Sequence, residues 1–192
     1  YAQGIFPMAH TECDDEIYWY APDPRAILPL DTFHVPRRLR QTLKKTPFTI
    51  RINTAFSEVM QECASAREMH PTTWISPELV ESYTELHQYG FAHSVEAWQD
   101  QHLVGGLYGV SLGGLFAGES MFHRVSHASK ACLVYLVEHL RKQQFTLLDI
   151  QFMTDHLKRF GAIEIAREEY EAQLQLALKE RCIFDPTATQ AG

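Results

Sequence analysis

The segment LLDIQ, residues 147–151, contains two polar side chains whose spacing could support chemistry. Asp149 and Gln151 are two positions apart in an apolar run that predicts a buried strand, so we expect their side chains to leave the same face. A buried carboxylate and amide that bond to nearby backbone would be structural. Alternatively, Asp149 orients and polarises Gln151, whose amide oxygen accepts a hydrogen bond from an attacking amine. The spacing alone leaves both interpretations open.

Glu119, at the end of the predicted strand LFAGES, is a further candidate for chemistry. A carboxylate at this position can hold a protonated α-amino group or neutralise a basic acceptor. It can equally be the N-terminal partner of the next helix or one half of a surface ion pair. Glu96, in AHSVEAW, has similar alternatives.

Aromatic and apolar residues near these segments suggest how a substrate could be held. Trp74, in a loop-like TTWIS segment, can stack on a nucleobase or fill a gap in the core, and Trp19 has the same two interpretations. Leu107, Phe116 and Met121 fall on or beside the strands that flank the expected cleft. They can line an apolar pocket that selects by shape, or they can belong to the core.

The composition predicts one main globular domain and no membrane span. Apolar residues make up 45% of the 192 positions, charged residues make up 21%, and no apolar run reaches membrane-spanning length. The start, YAQGIFPMAH, has no secretory pattern and no initiator Met, so we expect that a segment precedes it. The four widely spaced cysteines and the histidine spacing predict no metal site, and together they favour a reducing cytoplasm.

The formal charge of −7 disfavours binding along an extended nucleic acid, because such binding depends on many Lys and Arg contacts with phosphates. A limited basic patch remains available at Arg37, Arg38 and Arg40, although these residues could also be a solvated helix face. A second basic group lies within residues 123–130.

The chain after residue 46 alternates between clear strand and helix patterns. Residues 1–45, rich in Pro and turn residues, are expected to form a small N-terminal lobe, and residues 46–185 the main domain. From residue 48 onward the predicted order is a strand, two helices, three strands, a helix, a strand, a short helix, a strand and a final helix. Asn53 and Ser76 are expected to cap helices, and Thr154 is expected to begin a short helix.

This order predicts an α+β fold with a mixed, mostly antiparallel sheet and flanking helices, similar to the acetyltransferase superfold called GNAT. In that superfold a glycine-rich turn before the long central helix binds the pyrophosphate of the acyl-CoA donor. The corresponding segment here, ESMFHRVSHAS, contains no glycine. The sequence therefore suggests an acyl-transfer scaffold whose donor is not coenzyme A.

Several segments in order resemble the bacterial leucyl/phenylalanyl-tRNA–protein transferases. They are YAQGIFPM, YWYAPDPRAILPL, FHVPRRLR, TTWIS, LHQYGFAHSVEAW, LVGGLYGV, LFAGESMFHRVSHASK and LLDIQ with TDHLKRFGA. Together they cover nearly all of residues 1–170. The combination of GESMF, ASK and a D-x-Q strand is specific to this family.

The resemblance implies transfer of Leu or Phe, and less readily Met, from aminoacyl-tRNA to proteins with N-terminal Arg or Lys, which marks them for N-degron proteolysis. It implies that Asp149, Gln151 and Glu119 surround the reacting ester. It also implies that Trp74 and Trp19 contact the terminal adenosine and that an apolar pocket takes the amino-acid side chain. An acceptor-stem contact suits the patch of Arg37, Arg38 and Arg40.

Two other hypotheses remain open at this level. An acyl-CoA-dependent N-acyltransferase would bind acetyl-CoA, which the glycine-free turn disfavours. A non-catalytic binder of basic N-termini or tRNA ends would bind without turnover. Neither hypothesis nor the main prediction requires a metal or a cofactor held by the protein.

Overall fold

The computed structural model describes residues 1–10, 16–46, 48–65 and 73–185, so Cys13 lies outside the described residues. The strands are β1 (Phe6–His10), β2 (Glu16–Tyr20), β3 (Arg25–Ile27), β4 (Thr49–Ile52), β5 (Ala92–Gln99), β6 (His102–Leu112), β7 (Leu115–His123), β8 (Leu147–Gln151) and β9 (Ile163–Ile165). The helices are α1 (Arg37–Lys45), α2 (Phe56–Ala64), α3 (Pro77–Gln88), α4 (Ala128–Lys142), α5 (Asp155–Lys158) and α6 (Arg167–Ala177).

A large sheet of seven strands in the order β4-β5-β6-β7-β8-β3-β9 forms the centre of the molecule. Its neighbouring strands are antiparallel except for β7 and β8, which are parallel and are joined through α4. A parallel pair needs a long crossover connection, and the helical pattern after residue 127 supplies it. The predicted α+β class, with a mostly antiparallel sheet and flanking helices, is confirmed.

Helices cover both faces of this sheet. Buried side chains of α1, α4 and α5 share one apolar cluster with Leu107, Phe116 and Leu148 of the sheet. Buried residues of α2 and α3 form a second cluster, and those of α6 form a third. Among the described helices, none is long and apolar enough to cross a membrane.

The N-terminal segment contributes three short strands. Strands β1 and β2 form a separate antiparallel hairpin, in which Phe6 pairs with Tyr20 and Met8 with Tyr18. Strand β3 instead lies inside the large sheet between β8 and β9. Strand β3 has only three residues, too few to show the alternation of a strand in the sequence. Its two neighbours in the sheet, β8 and β9, are distant in the chain. The boundary near residue 45 stays a prediction.

One of the two predicted helix caps is confirmed, and the short helix predicted at Thr154 is present. The Ser76 hydroxyl accepts a hydrogen bond from the Leu79 amide at 3.3 Å, and Thr154 caps α5 in the same way. The predicted Asn53 cap is wrong, because α2 starts after Ala55. The Asn53 side chain instead accepts a hydrogen bond from the Ser94 amide, and the Glu96 carboxylate accepts one from the Ala55 amide at 2.7 Å.

Strand β7 contains a bulge at the position that matters most for the site. Tyr108 of β6 pairs with Ser120 and Gly109 pairs with Gly118, so Glu119 is an extra residue without an opposite partner. Bulges redirect a side chain and increase the local twist. On the other side of β7, pairing with β8 ends at Ala117 opposite Asp149. The two strands then separate and leave a gap.

Candidate active site

A cavity of about 650 Å³ opens where β7 and β8 separate. Glu119 and Met121 contribute to its wall from β7, and Ile150 and Gln151 contribute from β8. The first half of α4 and the residues around α5 close one side of the cavity. Helix α4 can pack closely against β6 because residue 105 is a glycine. A Cβ on Gly105 would lie 2.5 Å from the Cβ of Ala128, the first residue of α4.

Glu119 and Gln151 meet across the gap between the two strands. The Nε2 atom of Gln151 donates a hydrogen bond to Oε1 of Glu119 at 3.2 Å. The hydroxyl of Tyr83, on α3, donates to Oε2 of Glu119 at 3.0 Å, and the Tyr1 hydroxyl lies 2.5 Å from that of Tyr83. Burial raises the pKa of Glu119 from an ordinary 4.5 to about 7, although the hydrogen bonds from Tyr1 and Tyr83 oppose this rise. Glu119 can therefore change its charge near neutral pH.

Asp149 lies behind this pair and is only 1% exposed. Nε and Nη2 of Arg25 donate to its two carboxylate oxygens at 3.0 and 2.7 Å, and the Tyr170 hydroxyl donates at 2.9 Å. The backbone amide of Gln151 donates to Oδ1 at 2.9 Å. Asp149 is not among the residues that line the cavity. Its contact with Gln151 is through the backbone, whereas the sequence interpretation had it orient and polarise the side-chain amide.

Gln151 has an unusual backbone conformation, with φ at +57°. Residues other than glycine adopt this left-handed region rarely, because Cβ approaches the following carbonyl oxygen. Two bonds hold this conformation at the last residue of β8: the Gln151 amide donates to Asp149, and the Phe152 amide donates to the Ile150 carbonyl oxygen at 2.7 Å. With Nε2 donating to Glu119, the amide oxygen is the side-chain atom of Gln151 that can accept from a substrate amine.

The three predicted pocket residues do not share one location. Leu107 and Met121 are opposite each other on β6 and β7, and both line the cavity. Phe116 is fully buried, stacks on Phe184 with ring centroids 5.0 Å apart, and is not among the lining residues. Apolar side chains of α4, Leu133 and Leu136, complete the pocket.

The two predicted tryptophan contacts also differ. Trp74 lines the cavity. Trp19 is 61% exposed and is not among the lining residues. It pairs with Pro7 on β1, so it lies on the opposite face of the hairpin from Phe6 and Met8, which do line the cavity.

Polar atoms in the cavity wall provide further binding groups. Within the described residues, the Tyr108 hydroxyl and Nε2 of His156 are buried without a hydrogen-bond partner, and both residues line the cavity. Burial and nearby Lys130 lower the pKa of His156, and Lys130 itself also lines the cavity. An unpaired buried polar atom is costly, so each is well suited to bind a polar ligand atom. The described residues contain no group of three or more His, Cys, Asp or Glu that could hold a metal ion.

The predicted basic patch lies on α1, away from the cavity lining. Arg37, Arg38 and Arg40 are exposed, whereas Leu39 packs into the core. Arg40 of α1 lines a smaller cavity together with Glu138 and Arg141 of the second half of α4. The main cavity contacts the first half of α4. The patch and the cavity are therefore beside different parts of the same helix.

Glu96 has a structural environment. It is fully buried, and it accepts hydrogen bonds from the Ser94 hydroxyl, the Ala55 amide, the Trp98 indole and the hydroxyl of Thr54. It is not among the residues that line the cavity. This carboxylate fixes the start of α2 against β5.

Sequence reasoning missed Arg25, Tyr83 and Tyr170, which bond to the two carboxylates of the site. An arginine directly before the apolar run AIL could have indicated a buried, paired charge. Its partner is 124 positions away, so no local pattern identifies it. Tyr83 follows Leu79 and Val80 at helical spacing, so the sequence pattern indicates only a core-facing position for it.

The fold and the cavity define a mixed α+β protein with a candidate active site at the gap between two separating strands. The family model described as leucyl/phenylalanyl-tRNA protein transferase matches residues 27–175. The model of the N-terminal domain of the same transferase matches residues 1–23. This chain therefore belongs to the leucyl/phenylalanyl-tRNA protein transferase family.

Individual relatives agree with the family match. The leucyl/phenylalanyl-tRNA–protein transferase of Paramagnetospirillum magneticum is 51% identical over 191 residues, which cover 100% of this chain and 91% of the relative. The protein of the same name from Herpetosiphon aurantiacus is 57% identical over 185 residues, covering 96% of this chain and 93% of the relative. The solved structure of L-PGS from Bacillus licheniformis aligns with a TM-score of 0.52 at 10% identity, covering 83% of this chain and 66% of that chain. At that identity the likeness concerns the fold alone.

Proposed function

We propose that this protein is an aminoacyltransferase that moves Leu or Phe, and less readily Met, from aminoacyl-tRNA to the N-terminal Arg or Lys of acceptor proteins. The observation that carries the proposal is the bond between Gln151 and Glu119 at the edge of an apolar cavity. The two relatives with this activity in their names support it. The catalytic domain is GNAT-like and follows a small N-terminal lobe.

The reaction joins an amine to an ester that is already activated. The acceptor α-amine attacks the ester carbonyl carbon, a new C–N bond forms, and the C–O bond to the terminal ribose breaks. The amine loses one proton, and the released ribose hydroxyl gains one. Such a reaction depends mainly on holding the two reactants in the correct geometry and on removing that proton.

Gln151 and Glu119 are suited to bind the attacking amine. The amide oxygen of Gln151 can accept a hydrogen bond from a neutral amine, which directs the nitrogen lone pair at the ester. An amide is a very weak base, so its role is to position the amine. The carboxylate of Glu119, once ionised, attracts a protonated or partly charged amino group. The Tyr108 hydroxyl is a further group that can bond to the substrate.

The apolar part of the cavity accepts the side chain of the transferred residue. Leu107, Met121 and Leu133 contribute apolar surface there; Leu107 and Leu133 belong to one hydrophobic cluster, and Met121 packs against it. Shape selection in such a pocket discriminates by only about 1–3 kcal/mol per methylene. Large unbranched or γ-branched residues such as Phe, Leu and Met are therefore accepted together.

Several residues of the protein could bind the 3' end and the acceptor stem of the tRNA. Trp74, with Phe6 and Met8 in the same cavity wall, offers aromatic and apolar surface for the terminal adenine. Lys130 and His156 contribute donors for the adjoining sugar and phosphate. Arg37, Arg38 and Arg40 on α1 would contact the acceptor stem. Such limited contact suits a chain with a formal charge of −7.

Acceptors with basic N-termini suit an acidic protein, and the modification marks them for N-degron proteolysis in the cytoplasm. The test is to incubate the protein with radiolabelled Leu-tRNA and a peptide that starts with Arg, and to measure label in the peptide. The same peptide with an acetylated N-terminus is the matched control, since it keeps the Arg side chain and lacks the nucleophilic amine. Acetyl-CoA in place of Leu-tRNA tests the acyl-CoA alternative.

The expected result is that label appears in the unacetylated peptide and not in the acetylated one, and only when Leu-tRNA is present. Absence of label with an active transferase run in parallel would overturn the proposal. Binding of the peptide or the tRNA without turnover would favour a non-catalytic binder. Transfer from acetyl-CoA would favour the acyl-CoA enzyme.

A further inference from the structure

Arg25 is a fully enclosed cation that contacts both the site and the N-terminal segment. It is 1% exposed and donates to both carboxylate oxygens of Asp149, while its Nη1 donates to the carbonyl oxygen of Gly4 at 3.0 Å. Its guanidinium lies between the rings of Phe6 and Tyr170, at 4.7 and 4.5 Å from their centroids. A planar guanidinium can make all of these contacts at once, which an ammonium cannot.

Asp149 transmits the effect of Arg25 to the site. Its carboxylate accepts hydrogen bonds from Arg25, Tyr170 and the Gln151 amide, and it does not line the cavity. Asp149 therefore connects Arg25 with Gln151 from behind the cavity lining. Two bonds hold the left-handed backbone at Gln151: its amide donates to Asp149, and the Phe152 amide donates to the Ile150 carbonyl oxygen at 2.7 Å.

We infer that Arg25 is a positioning residue for the transfer reaction, which holds Asp149 and through it sets the direction of the Gln151 side chain. The chain of contacts runs from Arg25 to Asp149, from Asp149 to the Gln151 amide, and from the Gln151 side chain to Glu119. A small rotation at Gln151 would move its amide out of line with the attacking amine. This inference rests on the proposed function.

The same guanidinium also contacts the N-terminal segment, which contributes to the cavity wall. Gly4 and Phe6 lie in the segment matched by the N-terminal family model, residues 1–23, and Asp149 lies in residues 27–175, matched by the main model. Arg25 falls between the two matched segments and bonds to both. One side chain therefore bonds both to the N-terminal segment and to the carboxylate behind the site.

The experiment is a double-mutant cycle of R25K and D149N, with kcat and KM for Leu-tRNA measured separately. The lysine introduced by R25K would keep the positive charge but lose the planar guanidinium and its paired bonds to the carboxylate. The asparagine introduced by D149N would keep an oxygen that can accept from the Gln151 amide. The matched control is R51K, because Arg51 stacks on Trp98 on the distant edge of the sheet and bonds to no carboxylate in the described structure.

R25K is expected to lower kcat by about 100-fold with little change in KM, as a misplaced reacting group does. In the D149N background the same substitution should cost much less, since its effect passes through the carboxylate. R51K should match the wild type. The melting temperature of each variant is measured first, and the assay is run well below the lowest of these values. A loss of folded protein then cannot account for a lower kcat.

Three results would overturn the role of Arg25: an unchanged kcat, a rise in KM alone, or an equal cost in both backgrounds. No transfer by the wild-type chain would overturn the proposed function and this inference with it, so the two failures are distinguishable. If R25K does not fold, Y170F removes one donor to Asp149 and keeps the ring. It should lower kcat about tenfold, as expected for a lost bond to a charged group, and an unchanged kcat would overturn the inference.

Discussion

Nε2 of Gln151 donates a hydrogen bond to Oε1 of Glu119 over 3.2 Å, and this bond joins two strands that have already stopped pairing. Backbone bonds between β7 and β8 end at Ala117 and Asp149. Beyond them, the side-chain contact spans the gap. The relative position of these two groups therefore depends on the bulge at Glu119 and on the left-handed backbone at Gln151.

The first expectation concerns the pH dependence of transfer. The pKa of Glu119 is raised to about 7 by burial, so the fraction of ionised carboxylate increases as pH rises through 7. If the ionised form binds the amine, kcat/KM should rise with pH there. E119Q should lose this step and transfer about 100-fold more slowly, comparable to removing one preorganised electrostatic contact.

The acceptor α-amine provides an internal reference, since it titrates near pH 8 in the wild type and in the variant alike. Single-turnover rates between about pH 5.5 and 9, at a fixed peptide concentration, separate the two steps. Identical profiles for the wild type and E119Q would contradict the role given to Glu119.

The second expectation concerns stability and follows from the same pKa. The folded state holds a proton on Glu119 up to about pH 7, whereas the unfolded chain releases it near 4.5. Between these values the folded state binds more protons, so this group makes the free energy of unfolding fall as pH rises. E119Q should lack that contribution. Urea unfolding of both proteins at about pH 5 and pH 7.5 measures it, and an equal pH effect in the two would disagree with a buried, protonated Glu119.

The third expectation compares two tryptophans. Trp74 lines the cavity and Trp19 does not. W74A should raise KM for Leu-tRNA by roughly 5- to 150-fold, corresponding to the loss of about 1–3 kcal/mol of base stacking. W19A should have a much smaller effect. Equal effects of the two variants on KM would show that adenine stacking involves the exposed face of the hairpin.

The fourth expectation concerns the choice of amino acid. L107A enlarges the apolar pocket and should shift kcat/KM in favour of Phe-tRNA over Leu-tRNA, by about 1–3 kcal/mol. F116L is the matched control, because Phe116 is in the core and outside the cavity lining. It should lower the melting temperature and leave the Phe-to-Leu ratio unchanged. A changed ratio in F116L with none in L107A would contradict the assigned pocket.

The fifth expectation tests the basic patch on α1. Replacing Arg37, Arg38 and Arg40 together by Gln should weaken tRNA binding and reduce its salt dependence, by a slope of roughly 0.7–0.9 per lost phosphate contact. R167Q is the control, since Arg167 is exposed on α6 and paired with Glu171. Binding titrations at several salt concentrations give the slopes. If the triple variant keeps the wild-type slope, the acceptor stem binds elsewhere, and Lys130 becomes the next residue to test.

Periodicity predicted the main domain well because its elements are long and bounded by clear turn residues. The caps at Ser76 and Thr154 follow local rules that the sequence displays directly. The Asn53 prediction failed because tertiary contacts replaced the local one: the Glu96 carboxylate accepts from the amide of Ala55, the residue before α2, and the Asn53 side chain accepts from the Ser94 amide. Local propensity decides a cap only where no distant side chain competes for the same amide.

The candidate site was only partly predictable for a similar reason. Strand alternation suggested that Asp149 and Gln151 act together, but their connection through a backbone amide depends on a positive φ that an ordinary strand pattern does not reveal. The ion pair with Arg25 joins residues 124 positions apart. A three-residue strand such as β3 is stabilised mainly by its neighbours in the sheet, and its own sequence contains little information on its place.

Phe6 and Met8 of β1 form one wall of the cavity, although β1 belongs to a hairpin separate from the large sheet. A ligand that fills the cavity thus touches both parts and adds its binding free energy to the attachment of the hairpin. The bound substrate would add contacts between the hairpin and the large sheet. Protection of the hairpin amides from hydrogen exchange should therefore increase when the cavity is occupied, and it would report occupancy without any assay of catalysis.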